Sequence, residues 1–160
     1  MKDLIAIAEK VAAKLVARKE TVAVSESSTG GLISASLLAV PGASAYFLGG
    51  AVVYTRDARR LLADISDDAM KGIRSASRPY AELLASRTRA RFSTDWGLSE
   101  TGAAGPTGNR YGDAAGHSCM AVAGCSSQVI TIETGSADRQ GNMHAFAAHA
   151  LNLLLENLSR

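Results

Sequence analysis

The chain has 160 residues, 47% of them hydrophobic and 20% charged, with a formal net charge of +2. That is the make-up of one ordinary globular domain with enough chain for a sizeable core. So small a charge excess excludes nucleic acid or an anionic membrane surface as a partner recruited by charge.

No segment has the length and apolar continuity of a membrane span. The opening "MKDLIAIAEKVAAKLVARKE" is charged at regular intervals, unlike a signal peptide, so a cytoplasmic protein is the expectation. Residues 3–18 place Leu4, Ile5, Ala8, Val11, Ala12, Leu15 and Val16 on one helical stripe. "TVAVS" (21–25) reads as a short buried strand. After it comes "SSTGG" (27–31) at the mouth of a helix that runs to about Ala39 and is stopped by Pro41-Gly42.

"GGAVVYT" (49–55) is β-rich, and the basic "RDARR" stretch after it is helical through Leu62. "ISDDAMKGI" (65–73) predicts a short capped helix ending at Gly72. A longer helix follows to Phe92, with Ser77 as N-cap and Pro79 in its first turn. The basic runs "RDARR" and "RTRARF" read either as solvated helix faces or as anion-recruiting patches.

Asp95 to Thr101 predicts a strand that leads into "GAAGPTGNRYGDAAG". With five glycines and a proline this loop has no regular structure of its own, and its length marks it as functional or mobile. "HSCMAVAG" and "QVITIET" are two strands joined around Gly124 to Ser127, and 138–158 is a helix with one strongly apolar side. Cys119 and Cys125, six apart on or beside that hairpin, read as free thiols. Covered apolar strands alternating with helices imply one three-layer α/β domain.

Small polar residues and glycines gather at strand ends: Ser25 to Thr29, Ser44, and Thr101 to Gly105. Crevices outside the carboxyl ends of strands are where α/β sheets bind ligands. Ser28, Thr29, Gly30 and Gly31 therefore read in two ways. They are a phosphate-type anion cradle at a helix mouth, or a capped helix start with Ser28 or Thr29 as N-cap. Ser44 after Pro-Gly-Ala reads locally as a helix cap, Tyr54 as a half-buried packing residue, and Arg139 as a first-turn surface arginine. His144 and His149 are five apart on a helix and His117 lies in a strand, so no metal site is expected. No G-x-S-x-G elbow supports a Ser-His-Asp triad.

Four segments in order, "SESSTGG" (25–31), "VPGASAYFLGGAVVYTRDARRLL" (40–62), "TGAAGP" (101–106) and "SADR" (136–139), resemble the C-terminal domain of the CinA family. The E-S-x-T-G-G and P-G-A-S-x-x-F-x-G-G patterns are the most specific parts, and the likeness spans nearly the whole chain. It implies a single three-layer α/β/α domain with a central mixed sheet over residues 1–160, in the stand-alone form without an N-terminal molybdopterin-binding-like domain. It implies a homo-oligomer as well. The implied activity is hydrolysis of the carboxamide of a pyridine nucleotide, nicotinamide mononucleotide giving nicotinate mononucleotide and ammonia, without a cofactor.

By position, the resemblance makes Ser44 the nucleophile and Tyr54 the strand-end tyrosine. It puts Ser28, Thr29, Gly30 and Gly31 in the nucleotide pocket, Thr101, Gly102 and Gly105 in the substrate loop, and Arg139 near the substrate's acidic groups. A serine attacking an amide needs a proton acceptor and oxyanion donors. The family's lysine, five residues after the tyrosine, suits the acceptor role; here that position is Arg59. Arginine stays protonated, so Arg59 can orient an oxyanion or a phosphate but cannot be a base.

The chain departs from the family also at Ser28 (a cysteine there), in "AAGHS" (114–118, for P-V-G-T) and at Met143 (a second arginine). Lys71 or another basic group, folding back, would replace the missing lysine. Two further readings follow from these departures: a protein that binds a nucleotide or phosphate ligand without turnover, and an interaction module with no small ligand.

Overall fold

A computed structural model describes residues 1–160. Helix α1 (Lys2–Arg18) buries Leu4, Ala8, Val11, Ala12 and Leu15, the stripe its 3.6-residue period lays on one side. Then follow β1 (Val22–Glu26), α2 (Leu32–Leu38), β2 (Phe47–Val52), α3 (Arg56–Ala63), α4 (Arg78–Phe92), β3 (Trp96–Ala103), β4 (His117–Ala123), β5 (Ser127–Glu133) and α5 (Arg139–Asn157). The five strands form one sheet in the order β2-β1-β3-β4-β5. β1 is parallel to both β2 and β3, and the β3–β4 and β4–β5 pairs are antiparallel.

The strand period of two sorts side chains between two cores. Val22, Val24, Trp96, Leu98, Met120 and Val122 face α1, α2 and α5 in one large cluster. Cys119, Ala121 and Ala123 face α4, and Val53, Ala63, Ile65, Met70, Tyr80 and Leu84 fill the space under α3. Helices thus cover both faces of a mixed sheet, the expected three-layer α/β/α arrangement. Gly97 sets how closely α4 can lie: a Cβ there would stand 2.1 Å from the Ala85 carbonyl oxygen.

Several boundaries move from their expected places. β2 starts at Phe47 and stops at Val52, instead of running 49–55, because tertiary pairing decides it: the Val22 N–H donates to the Tyr46 carbonyl and Phe47 pairs with Val22. Tyr54 and Thr55 lie beyond the strand, and the Thr55 side chain caps α3 by accepting from the Ala58 N–H at 3.1 Å. The helix expected over 65–73 is a single 3-10 turn, Asp68–Met70, with the Ser66 hydroxyl accepting from the Ala69 N–H and Ile65 and Met70 anchored in the small core. Ser77 does cap α4, accepting from the Tyr80 N–H, with proline in the first turn. Cys119 and Cys125 are free, the first buried and the second exposed. No helix is long and apolar enough to cross a membrane.

Candidate functional site

The "SESSTGG" turn is folded around two wholly buried carboxylates. Glu26, the last residue of β1, accepts from the Thr29 hydroxyl (2.7 Å), from the Gly31 and Ile33 N–H groups (2.8 and 3.2 Å), and from the Ser34 N–H and hydroxyl (2.9 and 2.7 Å). Glu100 reaches across from β3. Its Oε1 accepts from the hydroxyls of Ser28 (2.5 Å) and Ser118 (2.9 Å), and its Oε2 from the N–H groups of Ser27 (3.1 Å) and Thr29 (3.0 Å). Burial pushes the Glu100 carboxyl above the usual carboxylate range, with these hydrogen bonds working in the other direction.

The turn therefore has no Ser28 or Thr29 N-cap. Gly31 occupies that position at φ 101°, a left-handed conformation that favours glycine. The Glu26 carboxylate satisfies the N–H groups a capping side chain would have taken.

The carboxyl ends of β1, β2 and β3 open onto a cavity of about 540 Å³ lined by Arg56, Arg59, Arg74 and Arg110, with Asp67 its sole carboxylate. Arg59, on the inner side of α3 and only 8% exposed, donates through Nη2 to Asp67 (2.6 Å), and its buried Nε has no partner. Arg56 also pairs with Asp67, and the Arg56 guanidinium holds that carboxyl below its ordinary pKa. Beneath Arg59, burial drives the Tyr80 phenol up to about 12, with the guanidinium opposing.

Arg74 forks onto Asp113 (2.6 and 3.0 Å), and Tyr111 lies against both Arg74 and Arg110 at 5.4 and 5.1 Å. A smaller cleft of about 230 Å³ shares Tyr54, Gly102 and Asn109 with the first and adds Ser28, Gly105 and Arg139.

Most of the residues named from the sequence meet at this end of the sheet. Arg139 opens α5 and donates to the Gly105 carbonyl (2.6 Å) and to the Tyr54 hydroxyl (3.3 Å), joining three separate segments. Tyr54 is 60% exposed, so it is no packing residue. Thr101, buried, accepts from the Ala76 N–H at 3.1 Å and lines the large cavity beside Gly102. Ser28 forms part of the smaller cleft, Thr29 is buried on the two glutamates, and Gly30 is exposed at φ 63°.

Ser44 is elsewhere. It sits exposed in the middle of a 3-10 turn, Ala43–Ala45, before the amino end of β2, and the cap there is Gly42. Tyr54 lies beyond the other end of that six-residue strand, so roughly 20 Å of sheet separates the two within one chain. Lys71 is no replacement amine either, since it is exposed and pairs with Asp68 at 3.2 Å.

Sequence reasoning passed over Glu100, Arg74 and Tyr111. Glu100 left one usable signal, a charge in a buried strand run. Arg74 left none, because only the fold carries it to the cavity. Arg59 belongs to "RDARR" but not to a solvated face.

The fold is an α/β domain with an arginine-lined cleft over its parallel strand ends. The family profile described as "CinA C-terminal domain" matches residues 4–158, and the chain belongs to that family. A CinA-like protein of Anaeromyxobacter sp. (strain K) is 37% identical over 146 residues, covering 91% of this chain and 36% of that protein. One from Myxococcus xanthus (strain DK1622) is 39% identical over 142 residues, covering 86% and 33%.

The chain thus spans about a third of the length of these relatives. A crystal structure of a competence/damage inducible protein from Agrobacterium tumefaciens aligns with a TM-score of 0.90 at 26% identity, covering 99% of this chain and 96% of that one. A CinA superfamily protein from Klebsiella pneumoniae aligns at 0.91 and 22% identity over 98% of each chain, a likeness of fold.

Proposed function

We propose that the cleft binds a pyridine nucleotide and that the protein hydrolyses its carboxamide, converting nicotinamide mononucleotide to nicotinate mononucleotide and ammonia. The observation that carries this is the charge of the cavity: four arginines line it against Asp67 and the Asp113 that pairs with Arg74, on a face where α/β domains hold ligands. A phosphate matches guanidinium forks, while Tyr54 and Tyr111 offer aromatic faces to a flat heterocycle. Arg139, fixed between Gly105 and Tyr54, is placed to hold an acidic group of the ligand.

The second reading, binding without turnover, is favoured by two specific observations. Arg59 is paired with Asp67 and cannot accept a proton, and Ser44 stands at the far end of β2. Self-association belongs to the same proposal: Leu38, Leu48 and Val52 are exposed apolar side chains at α2 and the edge strand β2.

Ammonia release from nicotinamide mononucleotide tests the first reading. Calorimetric binding of that nucleotide without ammonia selects the second, and no binding overturns both. Light scattering that finds a strict monomer removes self-association.

A further inference from the structure

We propose that Ser28 is the nucleophile of this chain and Glu100 its general base, a pair that replaces Ser44 and a lysine. This rests on the reading of the cleft as a site of amide hydrolysis, and the substrate class is a carboxamide or an activated carboxylic ester.

Glu100 is 0% exposed, yet no lysine, arginine or histidine is among its hydrogen-bond partners. An ionised carboxyl held away from cations is costly, so its presence needs a reason. Glu26 has one: it completes the start of α2. The turn around Ser27 to Thr29 could be tied by a neutral acceptor as well, and Glu100 brings something a neutral acceptor lacks, the capacity to take a proton.

The geometry is that of an activated hydroxyl. The Ser28 proton is directed to Glu100 Oε1 at 2.5 Å, which leaves the oxygen's lone pairs free, and Ser28 lines the smaller cleft. The Ser27 and Thr29 N–H groups fix Oε2 at 3.1 and 3.0 Å, and Ser118 steadies Oε1 at 2.9 Å. Nucleophile, base and orienting donors stand in the order that covalent catalysis uses.

Ser34 also donates to a buried carboxylate, Glu26, but it lines neither cleft. In the Ser28 cleft stand the Arg139 guanidinium and the Tyr54 hydroxyl, a cation and a donor for developing negative charge. Burial that lifts the Glu100 carboxyl brings its basicity closer to what proton transfer near neutrality requires.

The chemistry balances on these groups. The Ser28 oxygen adds to the carbonyl carbon as its proton passes to Glu100. Collapse breaks the C–N bond, the proton leaves with ammonia, and Ser28 is left as an ester. Water then attacks that ester, giving its proton to Glu100. Glu100 returns the proton to the Ser28 oxygen, and the carboxylic acid is released and gives its remaining proton to water.

The test treats the full chain with p-nitrophenyl acetate and finds the acylated residue by peptide mass spectrometry, with p-nitrophenolate release followed against pH. The acetyl group is expected on Ser28, absent in Ser28→Ala, and the rate should fall about 10²- to 10⁴-fold in Glu100→Gln. Should Glu100→Gln fail to fold, Ser118→Ala removes a donor to the ionised carboxylate and should move the midpoint of the pH profile upward. An acetyl group on Ser44, none on any serine, an unchanged rate in a folded Glu100→Gln, or an unmoved midpoint in Ser118→Ala overturns the proposal. Failure of the nucleotide reading looks different: ammonia is not released from nicotinamide mononucleotide although Ser28 still becomes acylated.

Discussion

Two regions of this molecule hold negative charge against hydrogen-bond donors, and they do so in opposite ways. At the start of α2, glycines, serines and a threonine surround Glu26 and Glu100, and the donors of the turn are already taken by the protein's own carboxylates. Around the cavity, Arg56 and Arg59 share one half-exposed aspartate, Arg74 is paired with Asp113, and Arg110 pairs with no carboxylate, so positive charge is left over for something else. A glycine-rich turn at a helix mouth is a sign of anion binding, but here the anion is internal. The donors left for an external anion are the arginines on α3 and in the loops.

The sharpest way to break this contrast is Glu26→Gln. The replacement keeps the size but turns one carboxylate oxygen into an NH₂ donor. At least two donors then face a donor, since Oε1 and Oε2 each accept at least two hydrogen bonds. At about 1–3 kcal/mol for each buried group left unsatisfied, the loss is roughly 2–6 kcal/mol in urea unfolding. A loss below about 1 kcal/mol would mean that the turn does not depend on its internal anion.

Arg139→Ala comes next. If the cavity side takes an external anion, losing this charge-assisted donor should weaken nucleotide binding by about tenfold or more in calorimetry. Unchanged affinity would place the ligand's acidic group elsewhere. Asp67→Asn works in the other direction. It removes the only carboxylate lining the cavity, so phosphate should bind tighter, by up to some fivefold. Weaker binding in Asp67→Asn would show that this carboxylate positions Arg59 and Arg56 rather than competing with the ligand.

The same contrast explains what could be read from the sequence. The α1 stripe, the Ser77 cap of α4, the hairpin of β4 and β5 and the apolar face of α5 are local patterns, and their residues were legible in order. Tyr54, Thr101, Gly105 and Arg139 were named by position from the resemblance, and the fold brings them together: the β2-β1-β3 order sets the ends of β2 and β3 on one side, and Arg139 at the start of α5 reaches Gly105 and Tyr54.

What escaped depends on pairing across long stretches of chain. Phe47 joins β2 only because Val22 is its partner, and Ser44 is carried away from Tyr54 by the length of that strand. Glu100 meets Ser28 across 72 residues, and no local pattern encodes such a contact. Likewise "RDARR" turns inward at Arg59 because α3 packs over Tyr80, which sits on α4.

The smallest expected effect lies at the outer wall of the cavity and is a dependence on pH. His117 is buried, with Nδ1 against Glu133 on β5 and Nε2 2.8 Å from the Ala76 carbonyl oxygen. Both partners are acceptors, an arrangement that favours the doubly protonated, charged imidazole. Asp113 stands 3.7 Å from Nε2, itself paired with Arg74, and the Cys119 sulfur is 3.8 Å away. Burial alone would discharge the ring, but Glu133, the Ala76 carbonyl and Asp113 outweigh it and raise its pKa above 6.5.

A raised histidine pKa stabilises the fold fully below the unfolded value and loses that contribution as pH climbs through the folded one. The urea midpoint should therefore fall as pH rises upward from 6.5. Glu100, also raised, drifts in the same sense, so the comparison that isolates His117 is wild type against His117→Gln. The difference in stability between the two should shrink across that window. A difference that stays flat would show that the imidazole is neutral in the fold and that the Arg74–Asp113 wall stands without it.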